Sequence, residues 1–274
     1  MDSKLKLIIV VILAVILGDV TIYVIHPLGD DFYKFTDLST VVFGTGGSII
    51  GLYAAKLFGF PKTKLGKGIF FLALGLVAET IGNGSWSYLE VWLGQEVPTV
   101  SIADPGYLGF YLFSGIGVYF MYRAAGEVLK RNRKFAVLFL LKIIAVSALL
   151  SVYGFWPNFV DPNLNDLERG VLLTYIIGSM TLLAGMFVIT FSLLGKKFFG
   201  PWIVILIAFL IHSFADVLYS QLAYLYEAEN PLTILYDMTY LMLGVGFFYA
   251  LKVYNNRDFG ESEEEERIIN ANLR

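Results

Sequence analysis

The stretch Gly68–Leu93, GIFFLALGLVAETIGNGSWSYLEVWL, decides how the whole chain is read. A helix needs roughly 20 predominantly apolar residues to cross a bilayer, and this run is apolar over that length except at a few positions. The exceptions are ordered. Glu79, Asn83, Trp86 and Glu90 follow i, i+4, i+7, i+11 spacing, so they share one helix face. The segment reads as a transmembrane helix with a polar and aromatic stripe.

Working outward, seven more apolar runs give eight candidate spans: Leu7–Ile25, Leu38–Leu57, Gly68–Leu93, Ala103–Ala125, Phe135–Trp156, Gly170–Leu194, Pro201–Tyr226 and Leu232–Tyr254. Composition agrees. The 274 residues are 57% hydrophobic and only 16% charged, against about 25% charged in soluble domains, and mean hydropathy is +0.69. That balance excludes a soluble enzyme, a nucleic-acid-binding domain and a disordered chain. With no cysteine, thiolate metal sites, disulfides and cysteine nucleophiles are excluded as well. The first run follows Lys4 and Lys6, as a secretory signal would. It is longer than a signal core, contains Asp19 and has no small-residue cleavage site after it, so it is expected to be retained.

Loop charges set the expected topology. Lys56, Lys62, Lys64 and Lys67, then Arg123, Lys130, Arg131, Arg133 and Lys134, then Lys196 and Lys197 fall on alternate loops. The intervening loops carry Asp30, Asp31, Glu90, Glu96, Asp161, Asp166, Glu168, Glu227 and Glu229, with only Lys34 and Arg169 as exceptions. Basic loops mark the cytoplasmic face, so both termini are expected in the cytoplasm and the protein in the cell membrane. The charged tail after Tyr254, with Glu263–Glu266, reads as a solvated helix end or a docking segment.

An ungapped shift of 133 positions lays one half on the other. Pro98 falls on Pro231, Asp104 on Asp237, Tyr107 on Tyr240, Leu108 on Leu241, Ser87 on Ser220 and Lys64 on Lys197. The expected fold class is therefore an all-α integral membrane protein of eight transmembrane helices. They form two parallel four-helix repeats, residues 1–134 and 135–254, followed by a charged cytoplasmic tail, residues 255–274. Parallel repeats are related by an axis along the membrane normal. The same shift pairs unlike residues at two intramembrane positions, Glu79 with His212 and Asn83 with Asp216.

Ionisable residues inside a span cost at least about 2.5–3.5 kcal/mol on insertion scales, so Asp19, Glu79, His212 and Asp216 are expected to face the bundle interior. His212, Asp216, Tyr219 and Ala223 repeat the stripe of the third span on the seventh. Three readings compete: interhelical hydrogen bonds that fix register, a ligand pocket, or a metal, proton or catalytic site. The pocket reading places Glu79, Asn83, Trp86, Tyr107, His212, Asp216, Tyr219 and Tyr240 in an outward-facing intramembrane cavity. For a metal, His212 and Asp216 with Glu79 form a minimal set lacking a second histidine. No catalytic residue, metal site or cofactor is assigned, and haem is disfavoured because His26 lies too shallow. Asp104 and Asp237 are expected to cap helix starts. Gly44, Gly47 and Gly51, and Gly109, Gly115 and Gly117, are expected to permit close helix packing.

The segment Val97–Tyr111, VPTVSIADPGYLGFY, with Gly82-Asn83-Gly84-Ser85-Trp86 and Ala215-Asp216-Val217-Leu218-Tyr219, resembles the eight-helix N-terminal membrane sensor regions of bacterial signalling proteins. In those, diguanylate cyclase, phosphodiesterase or kinase output domains follow the membrane region. The resemblance implies a sensor or receptor-like module for a small ligand. No output domain follows Tyr254, so a stand-alone relative acting through a cytoplasmic or membrane protein partner is expected. A small-solute or ion transporter and a non-catalytic subunit of a membrane complex are the alternatives. The lipid bilayer is the one partner composition demands, and nucleic acid is not one.

Overall fold

The structure is a computed structural model that describes residues 32–95, 97–125, 158–194, 198–222 and 232–255, with isolated positions between 14 and 21 and between 141 and 156. The described residues are helical, with no strand among them. Six long helices are α1 (Phe32–Leu57), α2 (Lys64–Ser87), α3 (Asp104–Ala124), α4 (Asp166–Ser192), α5 (Phe199–Leu222) and α6 (Leu232–Asn255). The first and fifth expected spans, Asp19, His26 and Ala223 lie outside the described residues, as does the tail.

Five of these helices, all but α3, are long and apolar enough to cross a membrane, so the chain is a polytopic membrane protein. Helix α3 departs from the expectation for the fourth span. It has the length, but Tyr107, Tyr111, Tyr119 and Tyr122 and four glycines dilute its hydropathy. It packs between α2 and α4, with Leu112 exposed on its outer face.

Polar caps explain why several helices begin before their apolar runs. The Thr63 hydroxyl accepts the Gly66 N–H at 2.9 Å and starts α2 at Lys64. Asn165 and Glu168 form a reciprocal capping box at α4, with Asn165 accepting the Leu167 and Glu168 amides at 2.9 and 3.0 Å. Such a pair satisfies amides that the helix leaves open. Between α1 and α2, Gly59 adopts φ 86°. Its amide donates to Lys56 O at 3.1 Å and that of Phe60 to Ala55 O at 3.0 Å, a left-handed C-terminal cap that glycine takes without a Cβ penalty. Helix α2 ends in a π turn, Tyr88–Trp92.

The six helices close into a ring in chain order, each packed on the next and α6 returning to α1. Close approaches give the directions. Gly68, Gly75 and Gly82 of α2 meet Gly117, Ser114 and Tyr107 of α3 in reverse order, so that pair is antiparallel. Helix α1 is antiparallel to α2 through Gly44 on Thr80 and Gly51 on Ala73. Helices α4 and α5 meet at Ser179–Ser213 and Thr190–Trp202, and α5 and α6 at Gly200–Tyr249 and Ala208–Thr239, also antiparallel. Two seams are parallel. Asp104–Tyr175 and Val118–Gly185 join α3 to α4, while Ser39–Asp237 and Gly51–Phe247 join α1 to α6. The described bundle is thus two up-down-up units joined along two parallel seams.

The seams carry a correction to the capping expectation. Asp104 is the first residue of α3, but Ala103 at the cap makes no side-chain bond. The buried Asp104 carboxylate instead accepts the Tyr175 hydroxyl of α4 and the Ser101 amide. Asp237 does not open a helix at all, since α6 begins at Leu232. It is buried and accepts the Ser39 hydroxyl of α1. Each aspartate therefore holds one parallel seam.

An apolar core of Phe58, Leu72, Trp202, Phe247 and their neighbours fills the end of the ring where α1, α3, α4 and α6 finish. Lys56, Lys64, Lys67 and Arg123 belong to that same end. Outward-facing Val42, Ile49, Ile81, Leu112, Leu210 and Phe214 are exposed, as a lipid-facing surface requires.

Most of the expected glycine contacts are present, with one exception. A Cβ on Gly47 would lie 3.1 Å from Tyr240 O, and one on Gly106 would lie 2.5 Å from Gly82 N. A Cβ on Gly115 meets nothing within 4 Å, so Gly115 is not a packing residue in this bundle. Gly106→Ala is accordingly expected to lower the melting temperature of detergent-purified protein, by about 1–3 kcal/mol of overpacking. Gly115→Ala is expected to be neutral or stabilising by up to about 1 kcal/mol, from helix propensity.

Candidate functional site

The end of the ring opposite the apolar core is polar. There the N-terminal turns of α1, α3, α4 and α6 surround the C-terminal halves of α2 and α5, and between them lies a cavity of about 80 Å³. Asp37 and Thr40 come from α1, Glu79, Asn83 and Trp86 from α2, and Asp104, Tyr107 and Tyr111 from α3. Tyr175 comes from α4, Asp216 and Tyr219 from α5, and Thr233, Tyr236 and Tyr240 from α6. All six described helices contribute walls.

Helical spacing places these groups. Glu79, Asn83 and Trp86 project inward because they share the face of α2 that the ring turns toward its axis. On α5, His212 and Asp216 are one turn apart and share the corresponding face. The two stripes meet at the floor of the cavity. His212 Nε2 lies 3.4 Å from Asp216 Oδ2 and 3.7 Å from Glu79 Oε1, with His212 only 1% and Glu79 only 3% exposed. The imidazole is flanked by Phe110 and by Tyr236, with ring centroids 4.7 and 5.5 Å away.

Tyrosines tie the carboxylates together. Tyr111 and Tyr236 donate to the two oxygens of Asp216 at 2.7 and 3.0 Å. Tyr240 donates to Glu79 Oε1 at 3.1 Å and accepts the Asn83 amide at 3.0 Å. Tyr107 donates to the Asn83 carbonyl oxygen at 3.1 Å. At the rim, Trp86 Nε1 donates to Glu90 at 2.7 Å. Apart from that rim bond, each bond in this network either links neighbouring helices or crosses the ring, so the cavity wall and the helix register are one structure. Around the cavity, Asp37 Oδ2, Glu79 Oε2 and both ring nitrogens of His212 are buried with no hydrogen-bond partner.

Of the eight residues that the sequence singles out, Glu79, Asn83, Trp86, Tyr107, Asp216, Tyr219 and Tyr240 line this cavity, and His212 sits directly behind its floor. Sequence reasoning missed Asp37, Asp104, Tyr111, Tyr175 and Tyr236 as lining residues. Two of these carried a signal: Tyr111 is one turn after Tyr107, and Tyr236 is one turn before Tyr240, on the same faces. Among the described residues no set of three His, Asp or Glu is placed to hold a metal ion. The Nε2 of His212 faces both carboxylates, those of Asp216 and Glu79.

Tyr240→Phe tests the network directly. It removes one hydroxyl and leaves Glu79 Oε1 and the Asn83 amide without that partner, so it is expected to cost about 1–3 kcal/mol of stability. The exposed Tyr119 hydroxyl only accepts from Arg123 at 3.0 Å, and Tyr119→Phe is expected to stay within about 0.5 kcal/mol of wild type. Thermal melting of both variants in one detergent checks the contrast. No family model, no curated protein and no solved structure matches the chain.

Proposed function

We propose that this membrane protein is a sensor or receptor-like module that binds a small molecule in the cavity between its helices. The observation that carries the reading is the construction of that cavity. One bound molecule there would touch all six described helices and both parallel seams, so occupancy would bear on how the two halves pack. A ligand alters an equilibrium between conformations only through contacts that differ between them, and a cavity built at a seam provides such contacts.

In this reading the cavity opens outward and both termini are cytoplasmic. The basic residues at the apolar-core end and the acidic residues at the cavity end support that orientation. Eight spans in two parallel repeats follow the same logic. The shift of 133 positions maps α1 on α4, α2 on α5 and α3 on α6, in the order they take around the ring, and it pairs Asp104 with Asp237, which hold the two seams. Helix α3 finishes at the basic end and α4 starts at the acidic end, which supports a fifth span between them. The readout then lies with a cytoplasmic or membrane protein partner.

Two measurements test this reading. The chain has no cysteine, so single cysteines at Glu96 and Glu229 are expected to react with a membrane-impermeant maleimide from outside intact cells; reaction from the cytoplasmic side alone would overturn the orientation. A thermal-shift screen of small polar metabolites against the purified protein is expected to find ligands that raise the melting temperature. Thr99 also lines the cavity, and Thr99→Trp, which adds an indole to that wall, is expected to abolish that shift while changing unliganded stability by no more than about 1 kcal/mol. Ligand-dependent counterflow into proteoliposomes would favour a transporter instead.

A further inference from the structure

The cavity that this reading takes as the ligand site has an unusual balance of groups. Four carboxyl groups line it, from Asp37, Glu79, Asp104 and Asp216, and no lysine or arginine among the described residues does. His212, behind the floor, is the one imidazole in contact with them. Asp37 lies beside a fifth carboxyl group, that of Glu90. Burying carboxylates without an opposite charge is costly in a low-dielectric interior, and one imidazole does not balance four.

The hydrogen-bond polarity of the wall points the same way. The donors of Trp86, Tyr107, Tyr111, Tyr175, Tyr236 and Tyr240 are all committed to wall acceptors: to Glu90, Asn83, Asp216, Asp104, Asp216 and Glu79 respectively. What these residues leave for an occupant is oxygen lone pairs and aromatic faces. Glu79 supplies an independent sign. It is 3% exposed, it lines the cavity, and its Oε2 has no partner. An acceptor is thus held at the floor with nothing to accept.

A wall of acceptors and aromatic faces suits an occupant that carries positive charge and presents N–H donors to the oxygens or methyl groups to the rings. An anion would meet carboxylates, and a neutral acceptor-rich molecule would find no free donors among these six side chains. A cation over Trp or Tyr rings gains from the ring quadrupole, more so when desolvated. The volume of about 80 Å³ is below the 300–1,000 Å³ range typical of drug-sized ligands, which suits a small occupant.

We propose that the ligand of this cavity is a small organic cation, a primary amine or a quaternary ammonium. Its charge is held between Glu79 and Asp216 and its carbon substituents lie against the aromatic wall. The proposal rests on the ligand-binding reading above and narrows it to one chemical class.

The test is binding selectivity of the intact purified protein in nanodiscs at constant chloride, read by calorimetry and by Trp fluorescence. The probes are methylammonium, choline, 3,3-dimethylbutanol as the uncharged isostere of choline, and acetate. At least one of the two cations is expected to bind about tenfold or more tighter than the isostere, with acetate not binding. Glu79→Gln is expected to weaken the cation by about tenfold and leave the isostere unchanged. Since that variant also alters the buried cluster, Trp86→Leu at the rim is the second one, expected to weaken choline more than the isostere. Equal binding of choline and its isostere, or tighter binding of acetate, would overturn the cation proposal and leave the ligand site standing. Failure of both cations to bind would also overturn it, and the site would then stand or fall by the metabolite screen and Thr99→Trp.

Discussion

The cost of an ionisable side chain in an apolar helix is the constraint on which the rest of the structure depends. Glu79, His212 and Asp216 sit within helices otherwise long and apolar enough for a bilayer, and each has to find polar company. They find it in one another and in Tyr111, Tyr236 and Tyr240. Those partners come from α2, α3, α5 and α6, so satisfying three residues fixes four helices in azimuth and in depth. The hydroxyls of Tyr175 and Ser39, held by Asp104 and Asp237, extend the same rule to α4 and α1. Burial of such groups is weak evidence for stability. Its surer consequence here is register: sliding any one of these helices by a turn would strand a carboxylate in hydrocarbon.

Close packing at the other end works by different means. The helices approach at glycines, Gly68 against Gly117 and Gly51 against Ala73, and the space between is filled by Trp202, Phe209, Phe247 and Leu72. In a bilayer, where lipid tails are as apolar as leucine, such van der Waals packing replaces the hydrophobic effect as the force between helices. The molecule is therefore divided along its length. One end is dry, glycine-packed and aliphatic or aromatic. The other is a tyrosine-carboxyl network around a small cavity.

Much of this division was legible in the sequence, and the rest was hidden for physical reasons. The apolar runs and the i, i+4, i+7 stripe at Glu79, Asn83 and Trp86 depend on periodicity alone, and periodicity is local. Asp104 looked like a helix cap because a window of sequence contains the helix start but not Tyr175, which lies on another helix. Asp237 was misjudged for the same reason: it lies inside α6, and its partner Ser39 is on another helix. Tyr175 itself, alone in an apolar helix, resembles an interfacial aromatic. Its role depends on the parallel α3–α4 seam, which no local pattern encodes. Gly115 looked like its neighbours Gly109 and Gly117, yet it lies on the open side of α3, where a Cβ meets nothing.

On the function proposed above, the polar end of the ring is a binding site and not merely a clamp for helix register. A high-resolution cryo-EM map of protein purified from its native membrane without added ligand tests it most directly. The account predicts density for a small non-water molecule between α2 and α5, within hydrogen-bonding distance of the carboxylates of Glu79 and Asp216 and against the rings of Trp86 and Tyr219. A cavity closed by inward movement of those side chains, with the Glu79 carboxyl satisfied by protein atoms alone, would contradict it.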